Sequence, residues 1–278
     1  MLCNTRDILL RAQSGKYAVA AFNVENMEMA QAVIDAAKEE KADVIVQIST
    51  KSLKYAPAGL YAAIVSELSN KADINVALHL DHCTDQELAV KTAECFSSIM
   101  IDASKCTLEE NIRATKYVLS ACRAKNVTVE AELGMVGGKE DDIVCDKTDI
   151  YAKVEDCVRF VKETDVDSLA VGIGTMHGVY KGEPKINVER LKEIRAAVNV
   201  PLVLHGASGL SSEIVRECIS EGISKVNFAT ELRIAFTQAV KKSLEFNENV
   251  IDPKVYLKSG YLAVKELVKE KIELCSMK

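Results

Sequence analysis

Tryptophan is absent from this 278-residue chain, proline occurs only four times, and aromatic residues make up 5% of it. An aromatic-rich β-sandwich core is therefore excluded, and no Pro-, Gly- or Ser-rich tract divides the chain into separate domains. Positive charge is not in excess: 35 Lys and Arg face 41 Asp and Glu, for a net charge of −6, with no basic block and no basic–aromatic stripe. Nucleic-acid binding thus has no support. No apolar run approaches the roughly 20 residues of a membrane span. The N-terminal MLCNTRDILLRAQSG lacks an apolar h-region ahead of a small-residue cleavage site, so a cytoplasmic location without membrane attachment is expected. The nine cysteines form no C-x-x-C pair. They are expected to be reduced and mostly buried, and a cysteine-based zinc site is disfavoured.

What the chain does have is Val, Ile, Leu and Ala, collected into runs that recur roughly every 25 to 35 residues. These are YAVAAFNV (17–24), DVIVQIS (43–49), NVALHLDH (75–82), SIMIDAS (98–104), TVEAELG (128–134), SLAVGIGTMHG (168–178), PLVLHGAS (201–208) and KVNFAT (225–230). Helical patterns lie between them, for example at 27–41, 107–125 and 187–198. Eight near-continuous apolar strands, each followed by a helix, describe a parallel sheet covered by helices. Closed on itself, that sheet is a (β/α)₈ TIM barrel, here a single domain over 1–278 with 247–278 as a C-terminal helical extension. A doubly wound open sheet is the competitor, weakened by the lack of G-x-G-x-x-G after the first strand.

Histidine is scarce, with only His79, His82, His177 and His205, yet three of the four end predicted strands. In a barrel those ends share the carboxyl rim, where barrel enzymes build their sites. Three imidazoles with an open fourth position form a common catalytic zinc set. His79 lies three residues before His82, so strict alternation points it to the opposite face, in a supporting role. Asn23, Ser49, Asp81, Asp102, Glu130 and Glu132 also sit at predicted strand ends, which suggests a polar mouth. HGASGLSSE (205–213) and NFATELR (227–233) place small residues and helix starts after the last two strands, the usual phosphate position of barrels. Ser211 or Ser212 would cap the first of those helices.

Five motifs now stand in order: DH at 81–82, E-A-E-L-G-x-x-G-G-x-E-D at 130–141, G-T-x-H-G at 174–178, L-H-G-A-S-G at 204–209 and N-x-A-T-E at 227–231. Together they resemble the class II, zinc-dependent aldolases of ketose bisphosphates, of the tagatose- and fructose-bisphosphate type, from about Ala20 to Phe236. The resemblance implies reversible cleavage of a ketose 1,6-bisphosphate to dihydroxyacetone phosphate and glyceraldehyde 3-phosphate. It implies one catalytic Zn2+ per chain on His82, His177 and His205, a monovalent cation such as Na+ or K+, and a homo-oligomer, dimer or tetramer. Asp81 matches the acid/base on the C4 oxygen. Gly178, Gly206, Ala207, Ser208, Asn227, Phe228, Ala229 and Thr230 match the residues that bind the dihydroxyacetone phosphate end. Asn23 and Ser49 match substrate contacts. Arg233 matches an arginine that reaches a phosphate, in some relatives from a neighbouring subunit. Asp102 and Glu132 match positions that hold a second metal in some members.

The chain departs from relatives at Lys51, where glycine is usual, and at Ala229, where many fructose-specific members carry Asp or Asn. GAS and NFAT are closer to the tagatose branch, which includes aldolases for related phosphorylated keto acids.

The chemistry accounts for these residue types. Breaking C3–C4 leaves an electron pair on carbon, and zinc on neutral imidazoles stabilises the resulting enediolate through the C2 oxygen. A base must take the C4 hydroxyl proton, and Asp81 adjoins a ligand. A second group must protonate the enediolate carbon: Glu140, on a Gly-rich loop spanning 134–150, with Glu132 as the competing choice. A Schiff-base lysine finds no support, because Lys225 starts its predicted strand, at the end remote from the rim. A metal-dependent barrel hydrolase would ordinarily carry H-x-H on its first strand, which here ends FNV. A non-catalytic barrel subunit would be expected to lose the ligands.

Overall fold

The computed structural model describes residues 1–140, 143–145, 151–178, 180, 182 and 184–277, with backbone alone at 138–140 and 143–145. The chain runs β1 (Leu2–Cys3), α1 (Arg6–Gly15), β2 (Val19–Asn23), α2 (Met27–Glu40), β3 (Val44–Ser49), α3 (Thr50–Tyr55), α4 (Ala58–Ser69), β4 (Val76–Cys83), α5 (Gln86–Thr92), β5 (Ser98–Ile101), α6 (Leu108–Arg123) and β6 (Thr128–Leu133). It continues through β7 (Gly137–Glu140), β8 (Ile143–Cys145), α7 (Val154–Thr164), β9 (Ser168–Val171), β10 (Met176–His177), α8 (Val188–Ala197), β11 (Leu202–Leu204), α9 (Ser212–Ser220), β12 (Ile223–Phe228), α10 (Thr230–Phe246) and α11 (Pro253–Cys275). Eight parallel strands close in the order β2-β3-β4-β5-β6-β9-β11-β12, and pairing of β12 with β2 seals the ring. This is the expected (β/α)₈ barrel.

The strands look uniformly apolar because both faces are buried, yet each alternates. Ala20 and Phe22, Val44, Val46 and Ile48, and Leu78 and Leu80 point outward into the main core between strands and helices. Their inward neighbours form layers along the axis. At the bottom, Val19, Ala21, Ile45 and Ala77 pack against Ile8, Leu9 and Ala12 of α1, which closes that end of the barrel. Above them the interior turns polar. The helices are set by local signals: Thr107 and Glu110 form a reciprocal capping box on α6, Asn187 caps α8, and Ser211 caps α9. The C-terminal helix α11 buries Val264, Val268 and Ile272 and bonds Asp35 of α2 through the Tyr261 hydroxyl at 2.8 Å. Of the described cysteines all are free, and Cys83, Cys122, Cys157, Cys218 and Cys275 are buried.

Three expectations need correction. The run 168–178 is not one strand: β9 stops at Val171, and Met176–His177 pairs with Gly137–Gly138 in a separate sheet of order β10-β7-β8 above the rim. Gly174 makes the break, since its φ of +100° suits glycine and a Cβ there would lie 2.4 Å from the Lys185 carbonyl oxygen. The segment 134–150, expected as a loop, contains the antiparallel pair β7–β8. Lys225 does not start its strand, because β12 begins at Ile223 and places Lys225 well inside the barrel.

Gly174→Ala should therefore cost about 1–3 kcal/mol, the usual range for strained backbone at such positions. Gly59→Ala, whose added Cβ meets nothing within 4 Å in the first turn of α4, should be neutral or stabilising by up to about 1 kcal/mol. Urea denaturation of the two variants checks the contrast; equal midpoints would disprove it.

Candidate active site

Strict alternation along β4 would send Asp81 and His82 to opposite faces. Instead, the β4–β5 register runs Leu80 opposite Ile99 and then Cys83 opposite Ile101, so β4 carries one extra residue. His82 absorbs it with a φ of +46°, in the left-handed region. Leu80 and Cys83 consequently face the outer core while Asp81 and His82 both face the axis. The same bulge corrects the reading of His79: it points inward too, two residues below Asp81, where its Nδ1 lies 2.8 Å from the Ser98 hydroxyl.

Three histidines converge. The His82 ring centroid lies 4.9 Å from that of His177 and 4.5 Å from that of His205. One nitrogen from each of the three falls within 4.8 Å of the others. The outer nitrogens of two are held by carboxylates: His82 Nδ1 lies 2.9 Å from Asp102 Oδ2, and His205 Nε2 lies 3.0 Å from Glu130 Oε1. With the outer N–H groups donated, the lone pairs of His82 Nε2 and His205 Nδ1 face each other across 2.7 Å. Two lone pairs so close repel unless a cation lies between them, so this donor set fits a metal bound by neutral imidazoles.

The surrounding carboxylates favour positive charge at the cluster, whether a metal ion or a proton on His82. Burial disfavours the His82 imidazolium, but Asp81 and Asp102 outweigh it and raise its pKa well above the ordinary value. Burial, then the His82 charge, lowers that of His205. Burial likewise opposes the Asp102 and Glu130 carboxylates. Asp102 is nevertheless pulled down by the His82 hydrogen bond, and Glu130 by the Lys225 ammonium. Glu132 goes the other way: burial and the Asp102 charge outweigh the His82 charge and the hydrogen bonds from Ser104 and the Val136 backbone, and push its carboxyl up to about 8. Its Oε2 is buried without a hydrogen bond among the described residues. Together His82, Asp102 and Glu132 form a second compact donor group, fully buried.

Beside the histidines, Asp81 Oδ2 accepts from the Asn23 amide at 2.8 Å and Oδ1 from Asn227 at 3.4 Å, while Gln47 steadies Asn23 at 2.9 Å. A carboxylate fixed on both oxygens presents a defined lone pair to the pocket.

The loops after β11 and β12 meet where the sequence suggested. Gly206, with φ +67°, lets the backbone pass the Met176 carbonyl, which a Cβ would approach to 2.6 Å. Ser208 Oγ accepts from the Ala229 N–H at 3.3 Å. The helix α10 starts at Thr230 with no side-chain cap from Ala229; the Leu232 N–H turns back to the Ala229 carbonyl at 3.1 Å, and the N–H groups of Thr230 and Glu231 stand at the helix start, where an anion is favoured. The Phe228 side chain turns away, stacked on Phe22 at 5.6 Å in the core, so only its backbone lines the site. Ser49 caps α3, and a line of contacts joins it to Ser52, Glu25 and Arg233, whose Nε donates to Glu25 at 2.6 Å. Lys51, exposed in the first turn of α3, needs no glycine-only conformation there. Gly178 follows His177 with φ +88°. Glu140 ends β7, and its side chain lies outside the described residues.

The family model described as Fructose-bisphosphate aldolase class-II matches residues 3–278. The chain belongs to the class II fructose-bisphosphate aldolase family. Among solved structures, it is 36% identical to the YdjI aldolase from Escherichia coli K12, with a TM-score of 0.87 over 99% of this chain and 97% of that one. Fructose-bisphosphate aldolase (Fba) from Campylobacter jejuni is 25% identical, with a TM-score of 0.82 over 99% and 95%. The family match thus extends beyond the Ala20–Phe236 span that carries the motifs.

Residue-level reading missed Tyr180 and the inward role of Lys225. The Tyr180 hydroxyl accepts from Met176 N at 2.9 Å and donates to the Gly206 carbonyl at 2.8 Å, tying the His177 strand to the loop after His205. Its place two residues beyond the G-T-x-H-G motif was the available signal.

His177→Ala should keep a native circular-dichroism spectrum while zinc content falls from roughly one per chain towards zero, since two imidazoles do not make a catalytic site. Full zinc occupancy in the variant would remove His177 from the ligand set.

Proposed function

We propose that the chain is a metal-dependent lyase that reversibly cleaves tagatose or fructose 1,6-bisphosphate to dihydroxyacetone phosphate and glyceraldehyde 3-phosphate. The observation that carries this reading is the placement of an oriented carboxylate, Asp81, beside three convergent imidazoles at one barrel rim. Zn2+ suits the three histidines, and when bound it supplies Lewis-acid polarisation of the C2 carbonyl. Asp81 takes the C4 hydroxyl proton as the C3–C4 bond breaks, and returns it in the condensation. Backbone N–H groups of Gly206 to Ser208 and of the α10 start hold the phosphate of the dihydroxyacetone end, with Gly178 and Asn227 beside it. Ser49 and Arg233 serve the substrate from the α3 side, and a monovalent cation, Na+ or K+, offsets phosphate charge. The second proton-transfer group is Glu140, brought by the hairpin that pairs with the His177 strand. Asp102 and Glu132 are a second metal-holding pair. The same reading makes the protein a cytoplasmic homo-oligomer, dimer or tetramer; no described helix is long and apolar enough to cross a membrane.

A related phosphorylated keto acid is a second substrate class, favoured by Lys51, an added cation on α3 two residues from Ser49. The deciding measurement is kcat/KM for tagatose and fructose 1,6-bisphosphates on zinc-loaded protein, with chelation as control. No cleavage of either would overturn the sugar-bisphosphate reading.

Asp81→Ala should retain zinc and lose cleavage by about 10²-fold or more, while still exchanging a proton of dihydroxyacetone phosphate with solvent. Equal loss of cleavage and exchange would contradict the division of roles. Glu140→Ala should leave zinc content and phosphate affinity near normal and slow that exchange by at least about tenfold. Exchange that survives there but vanishes in Glu132→Ala would transfer the role to Glu132.

A further inference from the structure

Beneath the histidines, the barrel interior holds a charge pair that the proposed chemistry does not use. Lys225 is fully buried, and its ammonium lies 2.8 Å from Glu130 Oε2 and 3.0 Å from Oε1. Glu130 itself is 1% exposed. On the far side, Lys225 Nζ approaches His79 Nε2 at 3.5 Å, and His79 is anchored on Ser98. The Ser168 hydroxyl adds a longer contact to Glu130 Oε2 at 3.3 Å. The other oxygen, Oε1, is the one that meets His205 Nε2.

A fully buried ion pair is a poor way to stabilise a barrel, because desolvating both charges cancels most of their attraction. Other inward positions of this barrel are filled by Ala21, Ile45 and Ala77, so apolar packing is available to the fold. The pair therefore calls for another explanation, and its geometry supplies one. His205 stands between the three-residue strand β11 and Gly206. Its ring plane is set by what Nε2 contacts. Asn227 Nδ2, at 3.3 Å, is a donor and cannot hold a nitrogen that carries hydrogen, which leaves Glu130. Lys225, by touching both carboxylate oxygens, fixes the plane from which Oε1 reaches His205.

We propose that Lys225 and Glu130 are positioning residues of the metal centre: the buried pair aims His205 Nδ1 into the pocket, as Asp102 aims His82 Nε2. The inference rests on the metal reading of the histidine cluster above. It predicts that stability and metal affinity separate when the pair is replaced by apolar side chains of similar length.

The test uses the full chain, with Glu130→Met and Lys225→Met combined, beside Lys225→Met alone and wild type. The probes are zinc, titrated against a chromophoric chelator, and cobalt(II), read by its visible absorption. The double variant removes both charges together, so it should fold and lose less thermal stability than Lys225→Met alone. Its zinc affinity should nevertheless drop about 10- to 100-fold, the usual effect of losing a partner that orients a metal ligand, and its cobalt spectrum should change. The single variant strands the Glu130 carboxylate and should lose both stability and affinity. A folded double variant with wild-type zinc affinity and an unchanged cobalt spectrum would overturn the inference alone. Wild-type protein that takes up no zinc would overturn the metal reading, and the inference with it.

Discussion

One extra residue in β4 makes this site possible. A β-strand sends successive side chains to opposite faces, so two polar residues adjacent in sequence cannot share a barrel interior without a break in the pleat. The bulge at His82 supplies the break, at a cost of order 1–3 kcal/mol for a non-glycine residue in the left-handed region. The strand is otherwise anchored on both edges by β3 and β5, which is what allows the strain to persist. With Asp81 and His82 on one side, every other contact falls into place. Asn23 and Asn227 reach Asp81, Asp102 reaches His82, and His205 meets His82 from across the barrel.

The interior is stacked by chemistry as well as by height. Apolar residues and α1 seal the bottom, the His79–Lys225–Glu130 group forms a charged layer above, and the histidine cluster lies at the rim. Each layer hands its order upward through hydrogen bonds, so the imidazoles are held before any ligand arrives. Preorganisation of that kind is what a catalytic metal site needs, because reorientation during the reaction would add to the barrier.

His177 arrives differently. It belongs to a small sheet outside the barrel, shared with the hairpin that ends in Glu140, and Tyr180 ties that sheet to the loop after β11. Two of the convergent histidines thus stand on or at the end of barrel strands and the third on a shorter, separately paired element.

Much of this was legible in the residues. Eight apolar runs at regular spacing specify the barrel because both faces of a parallel sheet must be buried. Histidine scarcity singled out His82, His177 and His205, since three of only four histidines at one rim are hard to explain otherwise. Helix caps at Thr107, Asn187 and Ser211 follow from local hydrogen bonding and needed no tertiary context. Other features depend on partners distant in sequence. Periodicity places His79 and His82 on opposite faces, and only the register between β4 and β5 shows that they share one. The split of 168–178 depends on Lys185 lying against Gly174, which no local pattern records. Lys225 reads as a strand-end charge until Glu130, 95 positions earlier, is found against it. The sequence alone therefore determined the architecture and the residue types gathered at the rim, because period and residue chemistry are local properties. Which side chains meet, and through which atoms, was decided by strand register and ring closure, because those bring together residues that the chain keeps far apart.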